Sequence, residues 1–404
     1  MNTTTHSFDY ILVGGGLQSG LMALAIRHYQ PHARVAIVER ESKLAGNHTW
    51  SFHASDVPTQ ATAWVAPLIE SRWPGYEIIV GGRKRHVNLE YISISSAHFA
   101  AEVARSFAGT DCKVLNHATA IELNNQRVAL SDGNQLEASV VFDNRGPSRL
   151  ELENYCGGFQ KFWGFELELG RDWSETNPIV MDDRIDQSDG FRFVYTLPME
   201  RRRVLVEDTR FSNSPSIDRD ECLINVRSYL SKLGFNDYRI IREENGVLPM
   251  PTGGPLPGSE LPKFSGGYRG GWFHAATGYS FPMAVTIAEI VAKTFPSELP
   301  AALQRFRDEN RGRARFARFL NRLLFDLVKP RTRYQIFRRF YRVLDEPQIA
   351  RFYGHRFSCW DAFRIVVGIP PMGLRPFNFL RSLSRSRISS TEPAVSTIVK
   401  GVTT

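Results

Sequence analysis

Cysteine is scarce in this sequence. The four present, Cys112, Cys156, Cys222 and Cys359, lie far apart and show neither CxxC nor Cys/His spacing. That pattern excludes a zinc-ligand set and a disulfide framework, so no metal is expected and a reducing cytoplasm fits. Also missing is any run near the about 18 consecutive apolar residues of a spanning helix, so membrane contact is expected to be peripheral. The N-terminus, MNTTTHSFDYILVGGG, has no basic stretch leading into an uninterrupted apolar core and a cleavage site, and no secretory signal is expected. Acidic residues are depleted in one region: between Ala301 and Arg385, 6 Asp/Glu stand against 19 Lys/Arg. A basic C-terminal third on a mildly acidic body points to an anionic partner, either nucleic acid or a lipid surface. What the chain does have is 42% hydrophobic residues over 404 positions, enough for a substantial core.

Phe8 to Val13 reads as a buried strand, Gly14 to Gly20 as a turn, Leu21 to His28 as a helix and Arg34 to Glu39 as the next strand. Strand, glycine turn, helix and strand within roughly 30 residues is the βαβ pattern of a parallel sheet. Ala138 to Asp143 is a further buried strand expected to return to that sheet. From Phe159 to Phe211 the pattern changes to alternating strands, Phe162 to Leu169, Phe191 to Leu197 and Arg203 to Asp208, expected to form an antiparallel sheet with one buried face. Pro251 to Gly258 is a loop by composition, and Thr277-Gly278-Tyr279 leads into a helix starting near Pro282. Ala301 to Val367 reads as helical, with arginines among phenylalanines; Ser382 to Thr404 is Ser/Thr-rich and expected to be poorly ordered.

The first βαβ unit carries a dinucleotide-binding pattern. Gly14 permits the tight turn, Gly15 and Gly16 let backbone N–H groups approach a pyrophosphate, and the helix beginning beyond Leu17 points its positive end at that anion. Glu39 closes the second strand, where its carboxylate can accept from a ribose hydroxyl. Ser19 occupies the usual third-glycine position and Gly20 follows it, which makes the motif relaxed. An ordinary glycine-rich turn is the competing reading, and NAD or NADP competes with FAD as ligand. A flavin is favoured by Thr277, Gly278 and Tyr279 ahead of a second helix, whose N-terminus would stabilise negative charge on a reduced ring.

The strand ending Val206-Glu207-Asp208-Thr209 places two carboxylates side by side in sequence, and alternation puts them on opposite faces. If Glu207 faces an apolar cavity, burial keeps it protonated near neutrality, as a general acid requires. A solvated strand end is the bland alternative. Trp163, Phe191, Phe193 and Tyr195 are the cavity candidates, since aromatic faces stabilise a cation, although such residues also simply fill cores.

Five segments, FDYILVGGGLQSGL, GNHTWSFH, GFRFVYTLP followed by RVLVEDT, REENGVLPM and FHAATGYSFP, occur in that order between Phe8 and Pro282. Through them the chain resembles bacterial lycopene β-cyclases of the flavoprotein type. The resemblance implies an α/β flavin hydroxylase/reductase-like fold: a FAD-binding Rossmann-type parallel sheet, an inserted antiparallel sheet for substrate and a basic helical C-terminal region. On that basis residues 1–80, 97–150 and 250–300 are assigned to the FAD-binding domain, 81–96 and 151–249 to the substrate domain, 301–385 to a membrane-contacting region and 386–404 to a tail. It further implies an isomerase that uses reduced FAD, with NAD(P)H only as reductant, to cyclise lycopene to γ-carotene and then β-carotene. Glu207 would be the acid and Asp208 its support. Membrane-borne lycopene makes an anionic lipid surface the expected partner instead of nucleic acid, with peripheral attachment to the inner membrane and carotenoid-pathway enzymes as neighbours. The rivals are a flavin-dependent monooxygenase or polyprenyl reductase and a non-catalytic carotenoid-binding flavoprotein.

Overall fold

The computed structural model describes residues 5–147, 156–253 and 264–368. Its first strand, Thr5–Val13, is the centre of a six-stranded sheet. Val35–Val38 and then Lys113–Leu115 run parallel to it on one side, and Gln135–Asp143 runs parallel on the other, with its second half, Val140 to Asp143, buried throughout as a strand covered on both faces requires. Arg127–Leu130 and Ala120–Leu123 extend the sheet as an antiparallel edge. One face is covered by the helices Leu17–Tyr29, Ser96–Phe107 and Phe281–Lys293, which share the largest apolar core of the molecule. The last of these returns late in the chain and is held against the first helix by Gln18 and Gln30, whose amides donate to the carbonyls of Ala284 (3.1 Å) and Ala292 (2.8 Å).

Ser19 is a working part of the turn. Its hydroxyl donates to the Gly14 carbonyl and accepts from Asn144 Nδ2 at 2.8 Å, tying the first helix to the turn and to the end of the neighbouring strand. Gly20 has a different role from the one its place in the motif implies. A Cβ there would lie 2.2 Å from the Phe99 ring, so glycine is needed for helix packing, and Gly20 does not face the cofactor turn.

The second sheet has seven strands, in the order Tyr238–Pro251, Gly157–Leu169, Arg203–Ser212, Phe191–Glu200, Ile179–Asp182, Tyr76–Val80 and Arg83–Val87. All neighbours are antiparallel except Ile179–Asp182 with Tyr76–Val80. A domain boundary after residue 80 therefore falls inside a hairpin: Val80 pairs with Arg83 across Gly81 and Gly82, which have φ of +59° and +73°, the conformation of a tight two-residue hairpin turn. Tyr91–Ser95, assigned from sequence to the substrate domain, instead joins Thr49–His53 and Ser71–Trp73 in a three-stranded sheet. The proline opening the late helix sits at its second position, after Phe281.

The helical C-terminal region is broken into pieces. Leu299–Asn321 runs into a π-helical turn at Arg322–Leu327, followed by Tyr334–Val343, Glu346–Tyr353 and Cys359–Val366. No helix among the described residues is long and apolar enough to cross a membrane. The Ser/Thr-rich tail and most of the proline–glycine loop after Gly253 lie outside the described residues.

Candidate active site

A cavity of about 1870 Å³ runs from the glycine turn to the antiparallel sheet and out between the C-terminal helices. At one end it is lined by Gly14, Gly15, Gly16, Leu17 and Glu39, with Thr277, Gly278 and Tyr279 beside them. Gly14 has φ +97°, and Gly278 has φ +68° with a would-be Cβ 3.0 Å from Leu248, so both turns require glycine. At Gly16 an added Cβ would meet nothing within 4 Å. Gly16 is also the N-cap of Leu17–Tyr29 and supplies no side-chain cap, and Ser280 caps Phe281–Lys293 equally without a side-chain bond. Two helix N-termini in the cavity wall are thus left without side-chain caps. The buried oxygens Gln18 Oε1 and Asn144 Oδ1 have no hydrogen-bond partner among the described residues, and both residues line the same end. Open space over Gly16, uncapped helix starts and orphaned polar atoms fit a dinucleotide. Glu39 is held in place by backbone N–H donors from Gly15 (2.6 Å) and Glu41 (2.8 Å), one to each oxygen, leaving a lone pair on each for a ribose hydroxyl.

The far end is one face of four adjacent strands. Cross-strand register places Gly164 between Glu207 and Glu244, and Phe162 between Thr209 and Gly246. Tyr195 lies opposite Glu207, and Phe193 opposite Thr209. A Cβ on Gly164 would come 2.8 Å from Glu207 Cγ and 3.1 Å from Glu244 Cγ, so the glycine makes the room in which two carboxyl groups meet. Glu207 is 8% exposed and Glu244 2%. Burial, then the charge of Glu244 and a hydrogen bond to it, push the Glu207 carboxyl well above the usual glutamate range. Glu244 in turn is ion-paired with Arg242 Nη1 at 2.6 Å and accepts from the Thr49 hydroxyl at 2.7 Å. Arg242 also reaches Glu166 (2.5 Å), Asn47 (3.0 Å) and the Thr49 hydroxyl (2.8 Å). Glu207 lines the cavity and Glu244 stands behind it. Burial and the neighbouring acid therefore favour a protonated Glu207 facing the chamber, backed by a Glu244 fastened to Arg242 and Thr49.

Alternation sends Asp208 the other way. Its carboxylate accepts from Arg192 at 2.8 and 2.6 Å, from Arg210 at 3.1 Å and from Asn225 at 3.2 Å, on the face covered by the helix Arg219–Lys232. A catalytic part for Asp208 is corrected to a structural one. Asp208→Asn is expected to leave two buried guanidinium groups short of charge and to cost about 3–5 kcal/mol in thermal or denaturant unfolding. Trp163 is also on that far face, donating to Glu243 at 3.1 Å, and does not line the cavity. Phe191 is on the cavity side but one layer out, stacked on Phe337 with ring centroids 4.6 Å apart, and is core. Phe193 and Tyr195 do line the cavity, joined by Phe162, Tyr76, Tyr91 and Phe211. Burial raises the phenols of Tyr76, Tyr91 and Tyr195 further from ionisation, so this wall stays neutral.

His48 and His53 line the cavity as well, and burial lowers the His48 pKa, which favours its neutral form. The segment around them matters mainly through Asn47 and Thr49, which brace Arg242 and Glu244. Glu244, Arg242, Gly164 and Thr49 are absent from the site as read from sequence. The signal available for Glu244 was the same as for Glu207: adjacent acids, Glu243 and Glu244, on a strand that turns one inward and one outward.

With this geometry in hand, comparison with known proteins is decisive. The lycopene cyclase protein family model matches residues 9–378. The chain belongs to the lycopene cyclase family. It is 35% identical over 370 residues to lycopene beta-cyclase of Pantoea ananas, covering 90% of this chain and 95% of that protein. It is 36% identical to lycopene beta-cyclase of Paracoccus sp., covering 92% and 95%. The fold of this family member is shared with a geranylgeranyl bacteriochlorophyll reductase-like protein of Thermoplasma acidophilum (TM-score 0.57, 12% identity, 90% of this chain and 96% of that one). It is also shared with a probable FAD-dependent monooxygenase of Pseudomonas aeruginosa (TM-score 0.54, 14% identity, 87% and 99%).

Proposed function

We propose that this protein is a lycopene β-cyclase, an isomerase that closes the ψ end groups of lycopene into β rings, giving γ-carotene and then β-carotene. The observation that carries the reading is the buried Glu207–Glu244 pair, with Glu207 facing an aromatic chamber continuous with a dinucleotide site and pushed by burial toward its protonated form. Glu207 gives its proton to the terminal double bond of the end group, leaving a tertiary cation. The internal double bond attacks that carbon and closes the six-membered ring. A ring proton then returns to the carboxylate left on Glu207, so one proton enters and one departs, the acid is restored and the product has the mass of the substrate. Phe162, Phe193, Tyr91 and Tyr195 offer π faces to the cation and exclude water that would trap it as an alcohol.

FAD is the cofactor this site suits, with Gly14, Gly15, Gly16 and Leu17 on its pyrophosphate, Glu39 on its ribose, and Thr277, Gly278 and Tyr279 at its flavin end. Bound in its reduced, anionic form, it supplies negative charge that favours the cationic intermediate, and NAD(P)H serves only to reduce it. Lycopene and γ-carotene reach the cavity from a membrane to which the protein attaches peripherally.

Anaerobic incubation with lycopene, FAD and NADPH tests this reading. A cyclic isomer formed without stoichiometric NADPH oxidation is expected. Hydrogenated or oxygenated pigment with NADPH consumed one for one would replace it with a reductase or monooxygenase, and unchanged pigment with a carrier.

A further inference from the structure

The last described helix, Cys359–Val366, is amphipathic in the reverse sense for a water-facing helix. Its polar side chains point inward. Asp361 is 1% exposed and accepts from Arg351 at 2.8 and 2.7 Å and from Gln348 at 3.1 Å; Arg364 donates to Gln348 Oε1 at 2.7 Å. Its apolar side chains point outward at helical spacing: Trp360 is 62% exposed, Phe363 50%, Val366 39% and, just past its end, Val367 48%. Trp360 and Phe363 are stacked with ring centroids 5.3 Å apart, so the stripe is contiguous. Single exposed apolar residues are ordinary, but a connected aromatic stripe held out by ion pairs at its back is a contact face.

Its position says what the contact is. Ile365, Val366 and Gly368 line the outer end of the cavity, together with Arg338, Arg339 and Arg342 from Tyr334–Val343. The stripe therefore borders the mouth through which substrate must pass. Arg339 caps the end of the stripe's helix through the carbonyls of Arg364 and Val367, whereas Arg338 and Arg342 make no ion pair or hydrogen bond among the described residues. Apolar side chains next to unpaired guanidinium groups match a phospholipid surface, hydrocarbon below and anionic headgroups above. They do not match a second copy of the same face, because a two-fold interface would set these arginines against their own equivalents.

We propose that Trp360, Phe363, Val366 and Val367 insert into an anionic lipid monolayer with Arg338 and Arg342 at headgroup level, so that the cavity mouth opens into the bilayer and not into water. This rests on the reading that the substrate is a membrane-borne polyene. The docked mouth lets an apolar molecule pass between hydrocarbon and cavity without crossing water, and the arginines hold the mouth at the depth of the headgroups.

The test is co-sedimentation of the full chain, loaded with FAD, with phosphatidylcholine vesicles containing or lacking phosphatidylglycerol. Wild type is expected to bind the phosphatidylglycerol vesicles in a salt-sensitive manner, and Trp360→Ser/Phe363→Ser to bind at least about tenfold more weakly. Arg338→Gln/Arg342→Gln is expected to lose the preference for phosphatidylglycerol. Because Trp360 and Phe363 are exposed and do not line the cavity, the first double variant should unfold at the wild-type temperature. It should also cyclise lycopene in detergent micelles at the wild-type rate while failing on lycopene in vesicles. Equal vesicle binding by wild type and the double variant overturns the proposal. So does a wild-type dimer in lipid-free solution that the double variant breaks. If wild type leaves micellar lycopene unchanged, the functional reading fails, and vesicle binding still decides the surface.

Discussion

Glu207→Gln is expected to remove cyclisation, with a fall of at least about 10³-fold in kcat, while FAD binding, read by flavin absorbance after gel filtration, is unchanged. Glutamine preserves the shape of the carboxylic acid but has no transferable proton of comparable acidity. A positioned general acid typically contributes about 10²–10⁴-fold, and protonation of an unactivated double bond has little other assistance. The flavin end of the cavity is built from other segments, the turn at Gly14 to Leu17 and the late turn at Thr277 to Tyr279, so its occupancy should not register the change. A variant that still cyclises at the wild-type rate would assign the proton to another group. A stability measurement adds a second sign. Burial and the neighbouring Glu244 raise the folded-state pKa of Glu207 above that of a solvated glutamate. Between those two values the folded chain holds a proton that the unfolded chain has released, so this group makes stability fall as pH rises through that window. Glu207→Gln removes that slope, and the variant is expected to gain stability over wild type on the alkaline side.

Glu244→Gln is expected to move the alkaline limb of the kcat profile to lower pH and to depress the rate at neutral pH, with recovery toward the wild-type rate as the assay is acidified. Burial is the larger cause of the raised Glu207 pKa, and the Glu244 charge is the next. Without that charge Glu207 is deprotonated at a lower pH, and each unit by which its midpoint falls removes about tenfold of the protonated acid at any pH above it. Arg242 keeps Glu166, Asn47 and Thr49 as partners in the variant, so the strand should remain in place. Glu244→Asp retains the charge and is expected to restore part of the alkaline limb. A role confined to packing would lower the rate equally at every pH, which is the result that would remove Glu244 from the mechanism.

How far the site is visible before folding depends on the range of the interactions. The glycine turn is legible because its requirements are local: Gly14 needs a positive φ, Gly16 needs open space, and the helix that follows starts within the same segment. Alternation along one strand is also local, and it correctly separates Glu207 from Asp208 without any knowledge of neighbours. It cannot say how far along a face the cavity extends. Phe191 therefore counts as a cavity residue from sequence and becomes core only because Phe337, from a helix far along the chain, stacks on it. Trp163 fails for a simpler reason, since Phe162 takes the cavity side and an adjacent residue cannot share it.

By itself, then, the sequence determined the βαβ unit, the parallel and antiparallel character of the two main sheets and the separation of Glu207 from Asp208, because each follows from backbone sterics, short-range periodicity or a motif carried within one segment. Tertiary structure decided which carboxyl group stands beside Glu207 and which face the last described helix leaves exposed. Glu207 and Glu244 meet only because two strands distant in sequence flank Gly164, and a pKa depends on the charge across that gap. The helix Cys359–Val366 turns its aromatics outward only because Arg351 and Gln348 take its polar side inward. Both are consequences of which surfaces are brought together, and no single segment contains that information.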